Sequence, residues 1–304
     1  MIDPLFVNSP QFEHGPLSSA VGCSLTLKIE TANPIRSFKG RGADYFMQKV
    51  VERGESRPLV CASTGNFGQA MAYAARSHGR NMTVFADLNA NTSKLGRIRD
   101  LGAEVRQVGD DFDSAKSAAR AHCESAGAWM IEDGREPEIS EGAGTIGMEL
   151  TGSGATFDVV VVPVGNGALI NGVARWVKHV SPATEVIGVS ASGADAMAES
   201  WRSERIVERA SVDTIAEGIA VRIPVPEALE DMETIIDDMV LVDDVAMVEA
   251  MRLIARTTGQ LVEPSGAAGV AAIRSNPTRF EGRTVATVLT GNNLTEDQLA
   301  RWLG

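Results

Sequence analysis

The sequence predicts an α/β protein of two three-layer lobes built on mostly parallel sheets. From Ser37 onward, short β-branched or apolar runs alternate with longer stretches at helical spacing, the pattern of strands joined by crossover helices. A Gly-, Glu-, Pro-, Ser- and Thr-rich tract at 132–157 splits that series in two. The 304 residues exceed what a single simple core organises and suit two lobes sharing a cleft. The expected division is a larger lobe of residues 1–35 and 142–304 and a smaller one of residues 36–141.

Ala43, Phe46, Met47, Val50 and Val51 recur at helical spacing, and Arg53-Gly54 ends that segment. Leu59-Val60-Cys61-Ala62 follows as a strand, Ser63-Thr64-Gly65-Asn66 as a polar turn, and 68–77 as an alanine-rich helix. The unit repeats with a strand at 83–86 before a helix at 93–101, and with a strand at 104–108 before a helix at 112–126. A short strand at 129–131 closes the smaller lobe, and the tract after it holds a short helix. Val159-Val160-Val161-Val162 is apolar without a break, so it predicts a strand buried on both faces. It leads through Pro163-Val164-Gly165-Asn166-Gly167-Ala168-Leu169 into a helix reaching Trp176. A strand at 185–190 follows, and the acidic stretch 227–238 reads as a solvated face or a link to the next strand. Helices are expected at 243–258, with Val245, Val248, Met251, Leu253 and Ile254 supplying most of the apolar side, and at 265–275. The last unit is a strand at 284–289, the loop Thr290-Gly291-Asn292-Asn293, and a helix at 296–303.

Composition narrows the function classes. At 44% hydrophobic and 22% charged residues the chain has enough apolar content to fold without disorder dominating. With 28 Lys and Arg against 40 Asp and Glu, the net charge of −12 argues against a nucleic-acid partner. Cys23, Cys61 and Cys123 are too few and too widely spaced for a disulfide framework or zinc cluster, so reduced buried thiols and a cytoplasmic location are expected. His14, His78, His122 and His179 form no ligand-like pair, and Glu217 is a single carboxylate, so no metal site is expected. No stretch reaches the roughly 18 apolar residues of a spanning helix, and the first ten residues do not read as a secretion signal. A small-molecule partner is what remains.

In open parallel sheets ligands lie beyond the carboxyl ends of strands, where loops enter helices. Three polar loops take that position. Ser63-Thr64-Gly65-Asn66-Phe67-Gly68-Gln69 offers hydroxyls, an amide and backbone N–H groups at a helix start, which suits a carboxylate; an ordinary Ser- or Thr-capped turn has the same composition. Gly165 to Leu169 could cradle a phosphate or be a structural turn; it lacks the lysine of a nucleotide loop and the glycine spacing of a dinucleotide fold. Thr290 places a hydroxyl at a strand end. Lys39, between glycine-flanked polar residues at a helix start, is the candidate nucleophile toward an aldehyde, because a helix dipole and desolvation both act against an ammonium there. A solvated helix-terminal lysine is the alternative.

Ser37-Phe38-Lys39-Gly40-Arg41-Gly42-Ala43 resembles the Ser-Phe-Lys-x-Arg-Gly-Ala segment of the fold-type II, tryptophan-synthase-β-like pyridoxal-phosphate enzymes. Four further segments resemble that family in the same order: Ser63 to Asn66, Gly165 to Leu169, Glu263-Pro264-Ser265-Gly266-Ala267, and Thr290. The resemblance implies the fold-type II architecture, with pyridoxal 5'-phosphate as cofactor. It implies that Lys39 holds this cofactor as an imine, and that Phe38, Asn66, Gly165, Asn166, Gly167, Ala168, Leu169 and Thr290 surround it. It further implies that Ser63, Thr64, Gly65, Asn66 and Gln69 receive the substrate, and that the protein is a homodimer.

Thr214-Ile215-Ala216-Glu217-Gly218-Ile219-Ala220-Val221 is similar to a stretch of threonine and serine dehydratases, whereas Asn33-Pro34, Ser63-Thr64-Gly65-Asn66, Val164-Gly165-Asn166 and Leu289-Thr290-Gly291-Asn292 look more like threonine synthase. The chain ends soon after its last cofactor-like loop, without the regulatory domain of biosynthetic deaminases and without the longer leader of threonine synthases. The expected activity is therefore that of an ammonia-lyase: the β-hydroxyl of a hydroxy amino acid such as L-threonine or L-serine is expelled, giving a 2-oxo acid and ammonia. The neutral hydroxyl of Thr290 fits this, since it does not hold the pyridine nitrogen protonated as a carboxylate would. Replacement chemistry of the threonine-synthase kind, amino-acid racemisation with Thr64 as the opposing acid/base, and non-catalytic binding are the alternatives.

Overall fold

The computed structural model describes every residue except Ser153. It begins with two strands that the alternation from Ser37 onward does not include. β1 (Gln11–Glu13) pairs antiparallel with β2 (Ser24–Ile29). β2 is disguised in the sequence by Lys28, which breaks its apolar run although the residue is itself buried.

β3 (Leu59–Ala62), β4 (Met82–Ala86), β5 (Glu104–Gln107) and β6 (Trp129–Met130) form one sheet in the order β5-β4-β3-β6, all neighbours parallel. β7 (Val159–Pro163), β8 (Glu185–Ala191), β9 (Asp238–Val242) and β10 (Thr284–Leu289) join the first two strands in the order β1-β2-β10-β7-β8-β9, parallel except at β1. All five residues of β7 are buried, as its unbroken valine run requires. One face of the six-stranded sheet packs on helices Asp244–Thr258 and Pro264–Ser275 through residues such as Met251 and Val270. Its other face packs on Pro137–Gly152 and Ala168–Val180 through Ile146 and Val173. The four-stranded sheet lies between Lys39–Glu52 with Asn66–Ser77 on one side and Phe112–Ala126 on the other. Both are three-layer arrangements.

Differences from the expected elements have local causes. The polar tract holds a helix of 16 residues, Pro137–Gly152, rather than a short one. Gly142, Gly144 and Gly147 carry low helix propensity, which hides it, but as small residues they let it press against Lys39–Glu52 and Ala168–Val180. The expected boundary at 141/142 falls inside this helix. In Asp244–Thr258 the cap formed by Asp243, whose carboxylate accepts from the Ala246 N–H, fixes the phase. Met247, Ala250, Met251 and Ile254 then face inward, and Val245 is 67% exposed. Val51 likewise faces water. The acidic stretch contains the helix Pro226–Met232, which buries Ala228 and Met232 and leaves its carboxylates outside. Cys23, Cys61 and Cys123 are free and buried, and burial pushes the Cys23 thiol up to about 11.

The first turns of Lys39–Glu52 are anchored by charge. Arg41, with no exposed surface, donates to both carboxylate oxygens of Glu30 at 2.8 Å, to those of Glu149 at 2.6 and 2.8 Å, and to the Thr145 and Ser9 hydroxyls. Lys28 adds a 2.6 Å pair to Glu149. Burial alone would raise the Glu149 carboxyl, but the hydrogen bond and charge of Arg41 outweigh it and hold it at about 2. An unfolded glutamate titrates near 4.3, so this stabilisation is complete above that pH and is lost as pH falls toward the folded value. Glu149→Gln is expected to cost about 2–3 kcal/mol at neutral pH. Its urea midpoint should converge on that of the parent between roughly pH 4.5 and 2, whereas parallel curves across that window would disprove the linkage.

Candidate active site

Lys39 reaches its position because the chain on either side of it is tied down. Asn33 accepts from the Ile35 and Ser37 N–H groups and donates to the Glu30 and Ser37 carbonyls, which folds the turn before the lysine. Arg36 within that turn takes a left-handed φ of 53°, costing about 1–2 kcal/mol that the surrounding contacts must offset. The Phe38 N–H donates to the Thr290 carbonyl at 3.0 Å, and the Asn292 N–H to the Arg36 carbonyl at 3.0 Å. The loop after β10 therefore clamps the residues that aim Lys39.

Lys39 is the first residue of its helix and opens into a cavity of about 660 Å³ between the two sheets, at the carboxyl ends of β3, β6, β7 and β10. Its Nζ lies 4.7 Å from the Phe38 ring centre and 5.9 Å from that of Phe67, and it pairs with the Asp133 carboxylate. The sequence placed dipoles beside this amine and no carboxylate; the end of β6 supplies one.

The Ser63–Asn66 loop divides its donors. Ser63 Oγ accepts from the Gly65 and Gly68 N–H groups at 3.2 and 2.9 Å, so this hydroxyl serves as a helix cap. The Thr64, Asn66 and Phe67 N–H groups have no acceptor among the described residues, and all three residues line the cavity. Gln69 does not line it: one turn into the helix, it is buried within the smaller lobe and its Nε2 has no partner among the described residues. Asn66 donates to Glu263 at 2.7 Å and accepts from Asn293 at 2.7 Å, leaving one amide hydrogen free.

Across the cavity, the N–H groups of Gly165, Asn166, Gly167, Ala168 and Leu169 likewise have no acceptor among the described residues. They open the helix Ala168–Val180, whose positive end adds to their pull on an anion. Gly167 has φ of 95°, and a Cβ there would meet the Met232 methyl at 2.4 Å. At Gly134 a Cβ would lie 2.1 Å from the Asn166 carbonyl oxygen, so the chain after β6 rests directly on this loop. Thr290 is buried at the end of β10, and its hydroxyl has no partner among the described residues. These unpaired donors suit a phosphate and an aromatic ring of cofactor size.

Phe38, Lys39, Ser63 to Asn66, Gly165 to Leu169 and Thr290 thus surround one cavity. Sequence reasoning gave no role to Asp133, which lies in a tract with no periodic pattern, nor to Asn293. Glu263 entered only through its motif; it is half-buried at the cavity edge, burial raises its carboxyl, and it accepts from the Asn66 amide and the Asn293 N–H. Glu217, expected as a solvated or cleft-lining residue, is 57% exposed and pairs with Lys94 at 2.6 Å.

A lysine on a helix start, facing two clusters of unpaired N–H groups across an interlobe cavity, defines a class of enzyme that works with a phosphorylated carbonyl cofactor. The chain belongs to the pyridoxal-phosphate-dependent enzyme family, whose pattern it matches over residues 2–291. It is 35% identical over 94% of its length to L-threonine ammonia-lyase of Thermotoga maritima, spanning 71% of that protein. Its structure is similar to the processed form of threonine deaminase isoform 2 from Solanum lycopersicum, with a TM-score of 0.92 at 28% identity, covering 98% of this chain and 84% of that one. Maize serine racemase is similar at a TM-score of 0.88 and 27% identity, covering 96% and 90%.

Proposed function

We propose that this enzyme is an ammonia-lyase that removes the β-hydroxyl of a hydroxy amino acid such as L-threonine or L-serine, giving a 2-oxo acid and ammonia. The observation that carries this reading is the meeting of Lys39, the free Thr64, Asn66 and Phe67 N–H groups and the neutral Thr290 hydroxyl in one cavity; the likeness to L-threonine ammonia-lyase supports it.

Pyridoxal phosphate, when bound, supplies the electron-withdrawing system that acidifies the substrate Cα–H. The residues 165–169 would hold its phosphate and Lys39 its carbonyl carbon. The free N–H groups of the Ser63–Asn66 loop and Phe67 receive the substrate carboxylate, which fixes the direction of the Cα–H bond. The Lys39 amine, once released, takes the proton from Cα as general base. The Phe38 and Phe67 rings beside Nζ keep water from that proton. Thr290 would offer a hydroxyl and no charge to the pyridine nitrogen, which would favour departure of a β-substituent. The same reading implies a homodimer in the cytoplasm, with the lobes divided at 35/36 and near 141/142, within the helix Pro137–Gly152.

A substrate panel tests it. L-Threonine, L-serine, hydroxyaspartate and O-phosphohomoserine are each incubated with the purified holoenzyme, and 2-oxo acid, ammonia and amino-acid products are measured. Equimolar 2-oxo acid and ammonia from at least one of the hydroxy amino acids is the expected result. Threonine formed from O-phosphohomoserine, or D-serine formed from L-serine without 2-oxo acid, would replace this reading with substitution or racemisation.

A further inference from the structure

We infer that Asp133 is a second acid/base of this site, carrying the proton collected by Lys39 to the departing β-hydroxyl. The inference rests on the ammonia-lyase reading. Lys39 Nζ and the Asp133 Oδ2 are in direct contact, with only 14% and 10% of the two side chains exposed. Oδ1 of the same carboxylate is buried and has no partner among the described residues, although the residue lines the cavity. A buried unpaired carboxylate oxygen costs free energy unless something else meets it.

Placement supports the role. Asp133 lies just beyond the end of β6, the neighbour of β3, whose own end carries the Ser63–Asn66 loop. Gly134 rests on the Asn166 carbonyl. The carboxylate is thus held between the two loops that would grip the substrate carboxylate and the cofactor phosphate, on the side where Lys39 emerges. The adjacent carboxylate, Glu132, is committed elsewhere: Lys116, Arg120 and Arg135 all pair with it at 2.7–3.0 Å. Asp133 pairs with Lys39 alone among the described residues. The other charged groups around the cavity are Lys94 with Glu217, Arg222 with Asp113, Asp111, whose carboxylate caps the Ser114 N–H, and Glu263.

The proton balance closes without a co-reactant. Lys39 takes the Cα proton and leaves the bonding pair on carbon. The resulting ammonium passes one proton to Asp133. As the Cβ–O bond breaks with its electron pair on oxygen, Asp133 gives that proton to the oxygen, which leaves as water. Lys39 is then a neutral amine and Asp133 a carboxylate, as at the start.

Leaving-group chemistry tests this, because chloride departs without a proton and hydroxide does not. Holoenzymes of the parent, Asp133→Asn and Asp133→Ser are compared on L-serine and β-chloro-L-alanine, and the visible cofactor absorbance of each is titrated with pH. On L-serine the variants should lose on the order of 10²-fold in kcat and keep most of the chloride elimination. The midpoint of the visible band should fall by about one pH unit, since a nearby carboxylate favours the protonated cofactor–lysine nitrogen. Equal losses on both substrates, or an unchanged rate on L-serine, overturn the inference. A parent that retains its cofactor but eliminates from neither substrate overturns the ammonia-lyase reading instead, so the two failures are distinguishable.

Discussion

Lys39→Ala is expected to abolish turnover, by on the order of 10³-fold or more, because in the proposed chemistry one side chain both attaches the cofactor and moves the Cα proton. The residue is the first of its helix and alanine is the best helix former, so the fold should persist. The substitution removes the pair with Asp133 and the approach of the ammonium to the Phe38 and Phe67 rings, all of them at the cavity. The visible absorbance of bound cofactor and a borohydride-reducible adduct at position 39 should both disappear while the thermal unfolding midpoint stays close to that of the parent. Unchanged absorbance together with full turnover would remove Lys39 from the site, and with it the proposed chemistry.

Arg41→Met is expected to act on stability, at a cost of about 3–5 kcal/mol, by leaving buried carboxylates without their main counter-charge. Glu30 is 1% exposed and takes two hydrogen bonds from this guanidinium. Glu149 would keep only Lys28 and the Asn8 N–H. Methionine matches much of the volume, so the loss measures charge rather than a cavity. The double variant Arg41→Met with Glu30→Gln should recover part of it, read as the urea midpoint. A single variant within about 0.5 kcal/mol of the parent would show that the network contributes nothing measurable. Because Arg41 sits two residues beyond Lys39 and joins β2 to the helix Pro137–Gly152, the same network fixes the backbone that presents the lysine.

Much of this protein was legible before folding. Leu59–Ala62 and Thr284–Leu289 are bounded by the residues the sequence indicates, because a strand between two helical layers is mostly apolar and β-branched, the buried Thr287 hydroxyl donating to the Val161 carbonyl. The segments around Lys39, Ser63, Gly165 and Thr290 stood out as polar, glycine-bearing loops following such strands. Less legible were elements whose stabilising partners are remote. β2 contains a lysine whose ammonium is satisfied by the Ser9 carbonyl and by the carboxylate of Glu149, 121 positions away. Pro137–Gly152 is rich in glycine because two other helices press against it. Gln69 looked like a cavity residue from its distance along the loop, but the helix turn carries it into the core of the smaller lobe.

The sequence by itself determined the alternation of strands and helices, the candidate amine and the polar loops that share its cavity, since each depends on neighbours a few positions away. Only the tertiary structure decided which charges face one another: Asp133 against Lys39, Glu263 against Asn66, Arg41 between Glu30 and Glu149. Electrostatic partners are chosen by distance in space and by exclusion of water, and neither is written in the order of residues along the chain.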